Sequence, residues 1–348
     1  MKLDQLSRVL DEMRLPNGAY VASLSRDYSH VWIRDVCYTV LPYLNSPCDR
    51  YEKAYHALLD LFRRYEWKID IHTSKRPVHL FEYIHARYST DLKEIDQPWG
   101  HAQNDAIGVF LWGAAQGVRH GKNIIRDEKD RGILEKLTRY LACLAYWDHP
   151  DNGMWEENME VHASSMGACV AGLREVSLLV DVPEKWIRRG EAALNRLLPR
   201  ESETKETDLA LLSLIYPYGV VNRGTARSIL TDVAGKLERT FGVIRYAGDR
   251  YYNGGAEAEW CFGFPWLGLC HAMLGERDKT LEYGEKTNRI LPDDGRVPEL
   301  YIGGTDRPNG NTPLAWAVAM VMLLHRHLTA ETPVTSGIRT EKGNLEEL

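Results

Sequence analysis

The feature that most constrains this chain is a helical repeat of apolar residues that comes in two alternating grades. Ile107, Phe110, Leu111, Ala114 and Val118 recur at helical spacing, as do Leu134, Leu137, Leu141 and Leu144, and Met166, Cys169, Val170 and Leu173. Residues three or four apart share one face of a helix, so each set predicts a buried stripe. Such segments lie near 3–13, 34–44, 51–66, 102–118, 128–146, 162–179, 184–198, 206–215, 224–238, 257–274, 278–290 and 312–328, with few alternating strand patterns between them. Those near 102–118, 162–179 and 312–324 are apolar or small-sided almost all round. Those near 51–66, 128–146, 184–198 and 278–290 carry a charged face. A helix that is apolar on every side is buried, and an amphipathic one covers it. The two grades tend to alternate along the chain, which predicts an all-α barrel of inner helices wrapped by outer ones.

The segments between the helices are long and rich in Gly, Pro, Asp and aromatics, at 14–33, 88–103, 147–163, 241–258 and 291–313. Long loops in a compact domain usually carry function. These precede the apolar helices, so a helical barrel gathers them at one end around one pocket. No linker divides the chain. Residues 1–330 read as a single domain and 331–348 as a flexible tail. The net charge of −6 gives no general attraction to nucleic acid or an anionic membrane. The longest apolar run, Pro313 to Leu324, is too short to span a bilayer, and the first residues lack the apolar core of an export signal. Six cysteines (Cys37, Cys48, Cys143, Cys169, Cys261 and Cys270) form no CxxC pair and read as reduced thiols. The expectation is a cytoplasmic protein whose partner is a small molecule; its oligomeric state stays open.

Five loop clusters hold the polar residues that chemistry requires. In HVWIRDVCY, the pair Arg34–Asp35 leads into an apolar helix; it reads either as a cap and ion pair or as a grip on sugar hydroxyls. QPWGHAQNDAIG packs Trp99, His101, Gln103, Asn104 and Asp105 together. His101 and Asp105 stand four apart, on one helical face, but no third ligand accompanies them, so no metal and no cofactor are expected. GMWEENME carries Trp155, Glu156, Glu157 and Glu160; RYAGDRYYNGG begins with Arg245; DDGRVPELYIGG contains Glu299. Cleaving a glycosidic bond takes one carboxylic acid to protonate the leaving oxygen and one carboxylate to attack or to activate water. The acid must hold its proton near neutral pH, which an apolar wall or a second carboxylate favours. Glu156 has Trp155 beside it and Glu157 and Glu160 nearby, and Glu299 is its natural partner. Glu157 and Glu160 read equally as solvated acids at a helix entry. Ten Trp and eighteen Tyr against six Phe suit sugar rings, which present C–H faces and hydroxyl edges. No GxSxG, Walker or GxGxxG pattern competes.

At these residues the chain resembles glycoside hydrolase family 15, the glucoamylase family. The resemblance runs over about residues 14 to 328 and rests on five blocks in order: NGAYVASLSRDYSHVWIRD, WGHAQNDAIG, GMWEE, RYAGDRYYNGG, and VPELYIGG followed by NTPLAWAVA. It implies an (α/α)6 barrel and removal of glucose from non-reducing ends with inversion to β-glucose. Carried over by position, Glu156 is the general acid and Glu299 the general base; inverting enzymes hold such a pair about 6.5–9.5 Å apart to admit a water. Arg34, Asp35 and Arg245 hold the terminal glucose, Trp32, Trp99, Trp155 and Asp105 line the pocket, and Glu157 sits on the leaving-group side. No secretion signal, starch-binding domain or β-sandwich accompanies these blocks, which suits short soluble oligosaccharides. The WGHAQND and AEAEW blocks also resemble the branch of phosphorylase kinase regulatory subunits, near which bacterial relatives act on isomaltose. That favours isomaltose and other α-1,6 sugars, ahead of maltooligosaccharides and trehalose. Two rivals remain: a sugar-sensing regulatory module without turnover, and transfer of glucose to a second sugar instead of water.

Overall fold

The computed structural model describes residues 3–329; the tail expected from 331 onward lies outside them. In chain order the helices are α1 (Leu3–Glu12), α2 (Ile33–Val40), α3 (Arg50–Arg64), α4 (Glu66–His72), α5 (Asn104–Arg119) and α6 (Glu128–Leu144). They continue with α7 (Ala163–Val176), α8 (Glu184–Leu197), α9 (Arg223–Leu237), α10 (Gly263–Met273), α11 (Arg277–Ile290) and α12 (Ala315–Thr329). A 3-10 segment spans Leu209–Leu214. Two shorter 3-10 turns, Leu41–Tyr43 and Leu80–Glu82, and four two-residue strands complete the set among the described residues: β1 (Val31–Trp32), β2 (Arg87–Tyr88), β3 (Glu259–Trp260) and β4 (Leu300–Tyr301).

The chain forms two compact units. The first comprises Leu15–Val21 and His30–Leu198; among the described residues the second comprises 3–14, 22–29 and 199–329. In the first unit α2 is buried at all eight positions, and α5 and α7 at nearly all of theirs. α2 packs on α5 and α5 on α7, while α3, α6 and α8 lay apolar faces against them and turn charged faces outward. In the second unit the 3-10 segment, α10 and α12 are the buried members, covered by α9, α11 and α1. Each unit therefore has three buried segments and three amphipathic partners, which alternate along the chain apart from the additional short helix α4 between α3 and α5.

The close contact of α5 with α7 has a residue-level cause. A Cβ placed on Gly108 falls 2.5 Å from the Ala168 carbonyl carbon, and one on Gly172 falls 2.4 Å from the Gly108 oxygen. The two backbones meet directly, which only glycine permits.

Three expectations need adjustment. The helix expected over 257–274 begins at Gly263, because Glu259–Trp260 pairs with Leu300–Tyr301 as β3 and β4. Pro265 thereby falls in the first turn, where its missing N–H costs nothing. Within 206–215 the residues Leu209–Leu214 are 3-10 rather than α; Asp208 caps them by accepting from the Ala210 N–H at 2.8 Å, and Pro217 stands three positions past Leu214. The short helix α4 and the four strands were not foreseen. No helix among the described residues is long and apolar enough to cross a membrane. None of the six cysteines forms a disulfide.

Candidate active site

In the first unit the loops before α2, α5 and α7 converge on one guanidinium. Arg34, in the first turn of α2, donates from Nη1 to Gln103 Oε1 at 2.8 Å and to Asp105 Oδ2 at 3.1 Å. Its Nη2 reaches Glu156 Oε1 at 3.1 Å and lies 3.8 Å from Asp35 Oδ2. Burial works against the Arg34 cation, but Asp105, Glu156 and Asp35 outweigh it and hold the group above its ordinary value. Burial lifts the Asp105 carboxyl above its usual range, while Arg34 pulls it back. Asp105 Oδ1 is buried without a hydrogen-bond partner among the described residues. Of the two readings of Arg34–Asp35, the ion pair is present as one contact of a larger polar cluster, and Asp35 does not cap the helix.

Glu156 sits in a tightly stapled loop. The Asp151 and Glu160 backbones exchange hydrogen bonds at 2.8 and 3.0 Å. Asp151 takes the His162 ring at 2.9 Å and the Asn104 N–H at 2.9 Å, fixing the start of α5 against the loop. Asn152 holds Glu157 at both backbone groups, 2.9 Å to its N–H and 2.7 Å to its carbonyl. Within this frame Glu156 adopts φ +63°, a left-handed conformation that a non-glycine residue holds only when its surroundings enforce it. Its Oε2 accepts from the Trp99 indole Nε1. The expected setting for Glu156 was an indole wall from Trp155 and a neighbouring carboxylate. The structure instead places two donors, Arg34 and Trp99, on its two oxygens. Trp155 is half-buried in the same loop.

Trp32 and Trp99 meet edge to face, with ring centroids 6.4 Å apart. Arg87 lies over Trp99, 3.5 Å from the ring centroid, and 5.7 Å from that of Trp32. His101 departs from its expected place. α5 starts at Asn104, so His101 and Asp105 do not share a helical face. Asp105 turns to Arg34, and His101 stacks on His85 with centroids 3.8 Å apart. Among the described residues no cluster of three or more His, Cys, Asp or Glu side chains is arranged to hold a metal.

The second unit holds the other carboxylate. Glu299, 1% exposed, immediately precedes β4. Asn309 Nδ2 and Asn311 Nδ2 donate to its Oε2 at 2.5 and 2.8 Å. Tyr251 Oη lies 3.4 and 3.3 Å from its two oxygens, and Tyr28 Oη lies 2.9 Å from Tyr251 Oη. Burial raises the Glu299 carboxyl above its ordinary value, and Asn311, Asn309, Arg245 and Tyr251 restrain the rise. Burial and the nearby Glu299 charge likewise push the Tyr251 phenol up. Arg245 makes a two-pronged ion pair with buried Asp249, both contacts at 2.7 Å, and lies 5.1 Å from the centroids of Tyr251 and Trp260. Glu259 serves the fold: its carboxylate takes the Phe241 and Gly304 N–H groups at 2.5 and 2.7 Å.

Sequence reasoning missed Arg87, Asp249, Tyr28, Tyr251, Asn309 and Asn311. Asp249 was readable as an opposite charge four residues after Arg245, and the asparagines as amides in the loop after Glu299. Arg87 gave no signal, because a two-residue strand is invisible to periodicity.

An all-α chain with two buried-helix units and two loop-held glutamates belongs to the class of helical glycosidase folds. The family model for glycosyl hydrolases family 15 matches residues 12–258, and the chain belongs to that family. A solved glycosidase, one variant of which is in complex with glucose, superposes with TM-score 0.79 at 22% identity over 92% of this chain and 96% of its own. Solved glucoamylases share the fold too, so the all-α (α/α)6 class expected from the resemblance is the class of this chain. The isomaltose glucohydrolase of Kribbella flavida is 26% identical over 68% of this chain and 67% of its own length. A probable phosphorylase b kinase regulatory subunit alpha of Caenorhabditis elegans is 28% identical over 76% of this chain. The chain spans about a quarter to a third of the length of that subunit and its animal counterparts.

Proposed function

We propose that this protein is an exo-acting, inverting α-glucoside hydrolase that releases β-glucose from short oligosaccharides, with isomaltose and other α-1,6 sugars preferred. The observation that carries the reading is a matched pair of glutamates on loops. Each has an indole or amide donor on Oε2, Trp99 for Glu156 and Asn309 and Asn311 for Glu299, while Oε1 meets Arg34 in the first and Tyr251 in the second. Such donors fix which oxygen remains for proton transfer.

In the proposed reaction Glu156 gives its proton to the glycosidic oxygen from Oε1, once Arg34 turns from it to the hydroxyls of the bound glucose. Glu299 takes a proton from water through Oε1. That water attacks C1 as the bond to the leaving sugar breaks, so the released glucose carries the opposite anomeric configuration. Burial raises the Glu299 carboxyl, which makes it a stronger base than an exposed carboxylate. Asp35, Asp105 and Arg245 hold hydroxyls, and Trp32, Trp99 and Trp155 give the ring its apolar walls, with Glu157 toward the leaving sugar. The preference for α-1,6 linkage is supported by the likeness to isomaltose glucohydrolase across two thirds of both chains. Residues 1–330 act as one catalytic domain in this proposal.

The test is proton NMR of the protein with isomaltose, maltose and trehalose in separate tubes. Early β-glucose from isomaltose, absent in Glu299→Gln, is the expected result. Early α-glucose, or full activity of that variant, overturns inversion with Glu299 as base. Faster release from maltose or trehalose moves the linkage. The likeness to the kinase regulatory subunits keeps a second reading, a sugar-binding module without turnover. Absence of glucose from every sugar, together with saturable sugar binding, would establish it. Glu156→Gln is expected to lose about 10²–10⁴-fold on a disaccharide, the usual worth of general-acid help.

A further inference from the structure

We propose that Arg87 is a positioning residue for the general acid, acting through the Trp99 indole rather than on the sugar. The inference rests on the reading of Glu156 as that acid. Arg87 is 5% exposed and Trp99 is half-buried, with the guanidinium stacked on the indole. The two-residue ladder of β1 and β2 pairs Trp32 with Arg87 across the strands, which aims the Arg87 side chain at the Trp32–Trp99 corner. There it stacks 3.5 Å from the Trp99 centroid, and its Nη2 is anchored by Gln97 Oε1 at 3.2 Å. Trp99 in turn donates its N–H to Glu156 Oε2.

Two consequences follow from elementary electrostatics. A cation over an indole face draws π density toward itself and leaves the ring N–H a stronger donor. The planar guanidinium also fixes the tilt of the ring, and with it the direction of the N–H. Arg87 thereby governs which oxygen of Glu156 is tied down and how firmly. A residue with this role matters when the leaving group needs a proton and matters little when it does not.

The experiment compares two substrates in the same variants. One is whichever of isomaltose, maltose and trehalose the protein cleaves fastest. The other is α-glucosyl fluoride, whose fluoride departs without a general acid. Arg87→Met is expected to lose about tenfold or more in kcat on the disaccharide, a share of the roughly 10²–10⁴-fold that general-acid help supplies. On the fluoride it should stay within about threefold, since base-assisted attack by water is untouched. Arg87→Lys, which keeps the charge without the planar stack, should recover part of the loss. Trp99→Phe keeps a ring for Arg87 and removes the N–H; any loss of wall contact with the sugar falls on both substrates, so its disaccharide-to-fluoride ratio of kcat should drop about tenfold or more, and adding Arg87→Met to it should lower that ratio little further. Equal losses on both substrates, no loss, or full additivity of the two substitutions overturns the proposal. If Arg87→Met does not fold, Arg87→Lys and Trp99→Phe decide by the same ratio. Glu156→Gln is measured alongside. Should it fail to discriminate the two substrates, the acid assignment falls; should it discriminate while Arg87 and Trp99 variants do not, only the present proposal falls.

Discussion

At the scale of single residues, the site is governed by which oxygen of each glutamate is occupied. Glu299 shows the balance of terms. Burial lifts its carboxyl, while the Asn311 and Asn309 amides, the Arg245 charge and the Tyr251 hydroxyl hold it down. Asn311→Ala removes the first of those restraints, so the Glu299 carboxyl must rise further. A base works only when deprotonated, and the acidic limb of kcat/KM therefore moves to higher pH in this variant. A pH–rate profile checks it; a limb that stays put or moves to lower pH means Asn311 does not act on the proposed base, Glu299. Both glutamates, Arg34, Asp35, Asp105 and Trp99 were singled out in the sequence, because charged and aromatic residues stood out on loops before apolar helices. The amides at Asn309 and Asn311 were not singled out, since their meaning depends on how the loop after Glu299 folds back. The setting of Glu156 was misjudged for a related reason. Trp155 and Glu157 are its neighbours in sequence, but Arg34 and Trp99 are its neighbours in space.

At the scale of elements, the loops can be placed only as well as the helices behind them are packed. Asp105 occupies the first turn of α5, and Gly108 lies one turn further along, against the α7 backbone. Gly108→Ala puts a methyl group 2.5 Å from the Ala168 carbonyl carbon, in backbone that cannot swing aside. The overpacking should cost about 1–3 kcal/mol or more in urea unfolding. The shift should also move Asp105 against Arg34, and a displacement near 1 Å can cost about 10²-fold in rate. Native stability with native turnover in this variant would mean that α5 and α7 are free to separate. The helices themselves were largely legible, since periods of three and four survive any tertiary arrangement. What failed was local. The start of α10 was set by strand pairing to residues some forty positions away, although Pro265 already argued for a late start. The segment at 209–214 is apolar enough for a helix, but Asp208 and Pro217 leave it room for only a short 3-10 piece.

At the scale of the whole molecule, buried histidines tie folding to pH. His85, His101, His149, His325 and His327 are all held below the ordinary histidine value, each first by burial. His85 is pushed down to about 3 and His101 to about 4. In the unfolded chain these rings take up protons near pH 6.5; in the folded one the stacked pair stays neutral far below that. The unfolded state then binds more protons throughout the interval, and stability falls as the pH drops from about 6.5 toward about 4. Asp105 and Glu299 have the opposite sign. Their raised folded values make the folded state the better proton binder, so as the pH falls they work against the histidines, and the histidine contribution is read as the difference between the native protein and a histidine variant. Neither nitrogen of the His85 ring has a hydrogen-bond partner among the described residues, so His85→Phe removes a titrating group without breaking a bond and keeps a ring for His101 to stack on. Urea midpoints by circular dichroism at pH 7 and pH 5.5 should separate widely in the native protein and less so in His85→Phe. Equal separations would show that the His85 ring titrates alike in both states, and that the pH dependence of folding arises at the other buried histidines.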